Sequence, residues 1–459
     1  MVCMTCEQIL AKHIADVGYE ALGEQDVAVV KKQLLALFGA LIAGYNSDGC
    51  KSCVDFVKEL GGKEEATVLI WNGRVPAQYA AFANAVMGRA LDICDHIAPG
   101  AHIGSAVIPA ALAAAELAGG CTGRELILAV AAGTDLALRL NLAEADYDGF
   151  DPTGVAAVFA SAAAAAKLLH LDEEQTLNAL ALAFNRCAGS FQSNIDGALA
   201  VRVIEGWTAQ SGVECARLAA RGITGPANFL EGVYGYFHIF GRDHVDKEQV
   251  LAGLGRQWRL NTLSFKKYPS CGQTQGSTEL VLRIMDEHGI SCEEIDVIKV
   301  LINPFTSKLV GKPFEIGKNP KVDAQFNVGY CVANAAVRRP VVLRHFEPEY
   351  ITDESVLTFL RERVQVIVVP ELHQRGHYSS DLQVILKDGR QFSASIDIPP
   401  GSPGNELQEE DFTRRFYDCV DFGALPCMAQ RADRIFNTLG AFEEIDRIQD
   451  FVELFKGEL

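Results

Sequence analysis

Small residues dominate the first half of this chain, and they restrict its architecture more than any other feature. Residues Val155 to Leu169 read VAAVFASAAAAAKLL, a text that favours helix and lets helix backbones approach closely. Ser161 and Lys167 interrupt the run, so it falls short of the roughly eighteen apolar residues of a bilayer span and suits a buried helix. Similar signals recur on both sides. Asp26 can cap a helix through Leu41, with Val30, Leu34, Leu37, Phe38 and Leu41 on one stripe. Pro76 opens another that carries Tyr79, Ala83, Val86 and Met87 towards Arg89. Further helices are predicted from Ser105 to about Leu117 and from Gly123 to about Leu140. An Asp172/Gln175 capping box precedes one ending near Cys187, and another covers about Trp207 to Arg221, stopped by Gly222. No strand pattern precedes residue 255, so an all-helical bundle is expected there.

After that point the periodicity changes. Glu294 to Ile302 reads as a strand of imperfect alternation, and Arg363 to Val369 alternates cleanly. Asp381 to Leu386 and Gln391 to Ile398 flank an Asp388-Gly389 turn, the signature of a hairpin. Helices are expected between them at Thr274–His288, Asp323–Val337 and Thr352–Leu360. Pro399, Pro400, Gly401, Pro403 and Gly404 make a break, beyond which helical text returns through Phe455. These features predict a mainly α chain with an α+β domain: a helical domain from 1–260 and 405–459, and an inserted α+β domain of 261–404.

At 459 residues, 49 % hydrophobic and 22 % charged, the chain can bury a large core. Its formal charge of −18 argues against nucleic acid or an anionic membrane as partner. A small anionic ligand is still compatible, because a local cluster of cations can dominate inside a cleft. Thirteen cysteines and an N-terminus without a basic, then apolar, leader point to a reducing, cytoplasmic setting. Two Cys-x-x-Cys pairs, Cys3/Cys6 and Cys50/Cys53, have the chemistry for a structural zinc. The first lies at a terminus and the second follows an Asn-Ser-Asp-Gly turn, so incidental cysteines and no metal are expected.

Titratable groups gather in two places. Asp92, Asp95, His96 and His102 fall between two helices, with His102 just before a helix start where free N–H groups favour an anion. An imidazole there can move a proton on a bound carboxylate, or merely cap an exposed loop. Near the predicted boundary, Lys266, Lys267, Tyr268, Pro269 and Cys271 form a second cluster. A lysine there can hold a carboxylate across the cleft, or be an ordinary surface lysine. Cys271 has no paired histidine nearby and makes a poor candidate nucleophile.

Together the clusters resemble the MmgE/PrpD superfamily of dehydratases, decarboxylases and epimerases. The likeness runs through Asn84–Pro109, Gly149-Phe150-Asp151-Pro152-Thr153, Ala209–Pro226, Phe265–Cys271, Asp323–Ala336 and Arg415-Phe416-Tyr417-Asp418-Cys419. It implies a helical domain built from both chain ends, the α+β domain of 261–404 as a lid, a homodimer, and cofactor-free chemistry on small di- or tricarboxylates. Carried over by position, Asp92 and His102 match the active-site Asp and His, and Lys266 the cleft lysine, with Tyr268 and Pro269 after it. Asp151 replaces a usual His, and His96 a usual Thr. Val201 and Ile204 replace a Lys and a His that many members carry, with Arg202 between them, and Gln275 stands where some have a His. The resemblance thus implies His102, Asp92, Lys266 and Asp151 as catalytic, and Arg202, Lys267, Tyr268 and His96 as substrate-binding. It favours a lyase, most of all a hydro-lyase, working by proton abstraction alpha to a carboxylate. An epimerase or a non-catalytic binding relative stays open.

Overall fold

The computed structural model describes residues 4–143 and 147–458. It is mainly α-helical with small sheets. Helices Glu24–Gly44, Ala77–Arg89, Gly104–Leu117, Gly123–Leu140, Val158–Leu168 and Ala200–Ala219 pack on one another through buried alanines and short aliphatics. The close approach is visible at two glycines. A Cβ at Gly133 would lie 2.5 Å from the Ala160 carbonyl, and one at Gly212 would lie 2.3 Å from Ser161 Cβ. Helix Glu24–Gly44 is apolar and long enough to cross a membrane, but 67 % of its most apolar window is buried within the protein.

Helix boundaries differ from expectation where capping or tertiary contact overrides local signals. Asp26 is not the cap of its helix: Gly23 is, and Asp26 accepts from the Gly23 N–H at 2.9 Å. The Ala200–Ala219 helix starts well before Trp207 and runs through Gly206. Pro109 lies inside the Gly104–Leu117 helix, not in its first turn. The stretch expected as one helix from Asp323 is two, Pro320–Gln325 and Val328–Val337, because Asn327 breaks it and caps the second through the Tyr330 N–H. The helix expected over Thr352–Leu360 is Glu354–Arg363, started by Asp353, which accepts from the Ser355 N–H.

Residues from the second half form their own core around helices Gly272–His288 and Val328–Val337 and a four-stranded sheet. The sheet runs Val364–Val368, Ile295–Ile302, Ser380–Leu386, Gln391–Ile396; the first pair is parallel and the others antiparallel. The imperfect alternation near Glu294 has a cause. The register shifts between Ile295 and Val297, as at a bulge, and the side chains change face there.

Two small pairings contradict the expectation of no strand before residue 255. Ala66–Thr67 pairs with Arg74–Val75, and Asp95–His96 pairs antiparallel with Ser264–Phe265. A two-residue pairing leaves no periodicity to read. The second joins segments whose partners are Asp95↔Phe265 and His96↔Ser264, and so brings the two titratable clusters together.

The last helices, Glu409–Gly423 and Pro426–Gly440, and the segment after them share the first core. Phe451 stands 4.8 Å from Phe38 and 5.0 Å from Phe442, ring centre to ring centre, and is 1 % exposed. Replacing Phe451 with Ala should therefore destabilise the protein by about 3–5 kcal/mol, read from urea unfolding. A loss under about 1 kcal/mol would mean that the C-terminal segment adds little to this core.

Candidate active site

The site is assembled where helix Ala77–Arg89 ends. Asp92 follows in a left-handed conformation, φ +53°, which a short polar side chain tolerates better than most. The turn places its carboxylate, 2 % exposed, against two cations. Lys266 Nζ stands 2.6 Å from Asp92 Oδ1, and the Arg89 guanidinium donates to the same oxygen. Arg89 is held in turn by Glu205 Oε1 at 2.8 Å. Burial, the largest influence on the Asp92 carboxyl, would raise its pKa; Arg89 and Lys266 outweigh it and hold the group below its usual value.

Asp95 positions the histidine. Its carboxylate accepts from Gln33 Nε2 and from the Gly104 N–H at the start of the next helix, both at 3.0 Å. Its backbone carbonyl accepts from His102 Nδ1 at 2.9 Å. A carbonyl only accepts, so Nδ1 carries the proton and Nε2 keeps its lone pair. That Nε2 lies 3.9 Å from Asp92 Oδ1. Burial first, then the charges of Arg89 and Lys266, keep His102 well below its ordinary pKa, so it is neutral and ready to accept a proton.

Thr153 links His102 to Asp151. Its hydroxyl accepts from the His102 N–H at 3.0 Å, and its own N–H donates to Asp151 Oδ1 at 2.9 Å. Burial raises the Asp151 carboxyl above its ordinary pKa. Burial likewise pushes Glu205 up to about 8 against the pull of Arg89.

Asp92, His96, His102, Asp151, Lys266 and Arg89 line one cavity, with Asn194, Cys271, Gly272, Gln273 and Tyr378 completing its wall. Its volume is about 30 Å³, the share of a single water in the liquid, whereas small-molecule sites run to roughly 300 Å³ or more. Its walls come from both halves of the chain.

Three residues expected to bind substrate are elsewhere. Arg202 is 2 % exposed, but its guanidinium donates to the Asp48 carbonyl at 2.6 Å and does not reach this wall. Lys267 and Tyr268 both turn to Glu279 and line a separate cavity of about 720 Å³. The cause is a bend in the chain at 267–270: Lys266 faces Asp92, and beyond it Lys267 and Tyr268 turn away together. Gln275 accepts from the Lys267 and Tyr268 N–H groups and fixes this bend. Cys271 lies on the wall, but burial pushes its thiol up to about 11, far from a thiolate.

Of the cysteine pairs, Cys3 lies outside the described residues. Cys6 and Cys50 belong to different cores. Among the described residues no group of three or more His, Cys, Asp or Glu is gathered as metal ligands.

Sequence reasoning passed over Arg89, Glu205 and Asn194, and named Asp95 in its cluster without giving it a role. Arg89 and Asp92 stand three apart, a spacing that offered a signal. Glu205 comes to Arg89 only through the crossing of two helices, so local spacing could not reveal it.

Comparison with known proteins gives a consistent result. The MmgE/PrpD N-terminal domain matches residues 8–249 and the MmgE/PrpD C-terminal domain matches residues 268–439. The second match crosses the Pro/Gly break at 399–404, so it does not coincide with the unit defined by the second core. Over 420 residues the chain is 23 % identical to a cis-aconitate decarboxylase-like protein of Aspergillus oryzae, covering 86 % of this chain and 85 % of that one. It is 25 % identical over 424 residues to cis-aconitate decarboxylase of Homo sapiens, with 88 % and 85 % covered. Against the Aspergillus terreus cis-aconitate decarboxylase the identity is 26 % over 345 residues, 70 % of each chain.

Neutral buried histidines make stability pH-dependent. Burial, then Lys266, lowers His96 to about 3, while an unfolded histidine titrates near pH 6.5. Below about pH 6.5 the unfolded chain binds the extra proton, so acidification costs roughly 1 kcal/mol per pH unit for this group until the folded pKa is reached. Asp95, Asp151 and Glu205, whose pKa values are raised, act in the opposite sense. The informative quantity is therefore a difference. Between pH 7 and pH 5, wild type should lose more stability in urea unfolding than His96→Thr does; equal losses would contradict a neutral buried His96.

Proposed function

The chain belongs to the MmgE/PrpD family, and from that premise we propose that it is a cofactor-independent hydro-lyase acting on a small hydroxydicarboxylate. One observation carries the reading: His102 and Asp151 face one cavity with proton affinities shifted in opposite directions. Burial favours the uncharged form of each, an imidazole with a bare nitrogen that can take a proton and a carboxylic acid that can give one. His102 Nε2 removes the proton alpha to a substrate carboxylate, and Lys266 and Arg89 stabilise the charge that develops on that carboxylate. Asp151 gives its proton to the departing hydroxyl, so a C–H and a C–O bond break, an alkene forms and water leaves. Asp92 holds the cations in place, and its charge favours the imidazolium that forms on His102.

The number of cations supports a dicarboxylate. Arg89 and Lys266 share Asp92, Arg202 is committed to Asp48, and Val201 and Ile204 are apolar. A third carboxylate would be left poorly paired in a water-poor cavity. In this reading residues 261–404 are a lid that opens against a helical domain of 1–260 and 405–459, supported by the separate core of the second half and by the small cavity whose walls come from both halves. The relatives named as cis-aconitate decarboxylases favour a second reading, in which carbon dioxide leaves in place of hydroxide and Asp151 protonates the resulting carbanion.

Incubating the protein with hydroxy- and unsaturated dicarboxylates in deuterated water separates these. Alkene and water mean hydro-lyase, carbon dioxide means decarboxylase, and exchange without elimination means epimerase. No turnover of any member overturns the enzyme reading. His102→Ala should lower turnover by roughly 10²–10⁴, measured on a variant that circular dichroism shows to be folded. The Asp95 carbonyl loses its partner in that variant, so stability should fall by about 1–3 kcal/mol. Activity should survive exhaustive chelation; loss that zinc or iron restores would overturn the metal-independent mechanism.

A further inference from the structure

Four buried side-chain atoms on the cavity wall have no hydrogen-bond partner within the protein. They are Asp92 Oδ2, both ring nitrogens of His96, and Asn194 Oδ1. The mechanism above accounts for the first and leaves His96 and Asn194 without a task.

His96 is held without using its ring nitrogens. Its backbone pairs with Ser264, and the residue is 3 % exposed. Its ring centre lies 6.2 Å from that of His102 and 5.9 Å from that of Tyr378, the latter edge-on. Gly272 makes room for it, since a Cβ there would lie 2.9 Å from His96 Nε2. Burial beside Lys266 keeps the imidazole neutral. A neutral imidazole offers one N–H donor and one bare nitrogen acceptor. Asn194 adds an amide of similarly mixed character.

A carboxylate can satisfy only the donor, and the bare nitrogen would then stay unpaired in a desolvated cavity. A hydroxyl can donate to the bare nitrogen or to Asn194 Oδ1, and its oxygen keeps lone pairs for a donor elsewhere. An ammonium also donates, but it would stand beside Lys266 and Arg89, where like charge opposes it. We infer that His96 reads a hydroxyl group on the substrate, selecting hydroxy acids over acids that lack the group. The inference rests on the reading under Proposed function. It is compatible with the elimination: the hydroxyl hydrogen points to His96 while the oxygen takes the proton from Asp151, and His96 itself transfers none.

The test titrates the full-length protein calorimetrically with malate and citramalate, with succinate, which has no hydroxyl, and with aspartate, which has an ammonium instead. Wild type should bind a hydroxy acid about tenfold or more tighter than succinate, and aspartate no better than succinate. His96→Leu should erase that preference, with succinate affinity kept within about threefold. Gly272→Ala keeps the ring but crowds Nε2 and should shift the preference the same way. It serves as the second variant if circular dichroism shows His96→Leu to be unfolded. Equal hydroxy-acid preference in wild type and the folded variants overturns this inference and leaves the lyase reading to its own turnover assay. Tighter binding of aspartate than of malate overturns the choice of hydroxyl. If no dicarboxylate binds and none is turned over, the lyase reading falls and this inference falls with it.

Discussion

Asp92 is shielded from water, and its ionised form persists there because Lys266 and Arg89 stand against the same oxygen. Desolvating three charges costs several kcal/mol for each, which is recovered only while all of them stay together. Arg89 comes from the end of a helix in the first half, Lys266 from the segment that leads into the second, and Glu205 secures Arg89 from a third element. The cluster therefore ties both halves of the chain to one point. With burial, the same two cations lower the proton affinity of His102, so what holds the junction together also keeps the imidazole neutral.

Geometry around that point is set by backbone more than by charge. The short pairing of Asp95–His96 with Ser264–Phe265 brings Lys266 to Asp92 and fixes which way each neighbouring side chain faces. Asp95 then acts twice, its carboxylate on the start of helix Gly104–Leu117 and its carbonyl on His102 Nδ1. Gly104 is required for the first contact, because a Cβ there would lie 2.4 Å from Asp95 Oδ1. The imidazole is thus oriented by groups that do not touch the cavity's contents.

Asp151 stands on the cavity wall with a raised proton affinity. Val201 and Ile204 are buried and apolar, and the Arg202 guanidinium donates to the Asp48 carbonyl. The wall itself carries the cations Arg89 and Lys266 and the imidazoles of His96 and His102.

Much of the architecture was legible because it depends on local chemistry. Alanine-rich text makes tightly packed helices wherever it lies, Asp-Gly closes the 386–391 hairpin, and capping residues such as Asp172 act on their own helix. The candidates Asp92, His96, His102, Asp151 and Lys266 could be named from spacing and from likeness to a family. What spacing could not say was which way they faced. Lys266 and Lys267 are adjacent and of one type, yet one enters the cavity and the other meets Glu279. Arg202 looked available until Asp48 engaged it, and Glu205 met Arg89 only when two helices crossed. The sequence by itself determined the helical first half, the sheet-bearing second half and the residue types of the site, because these follow from propensity and periodicity. Only the tertiary structure decided the facing of those residues, the direction in which their proton affinities shift and the cavity they share, because burial and distance arise from contacts between segments far apart in the chain.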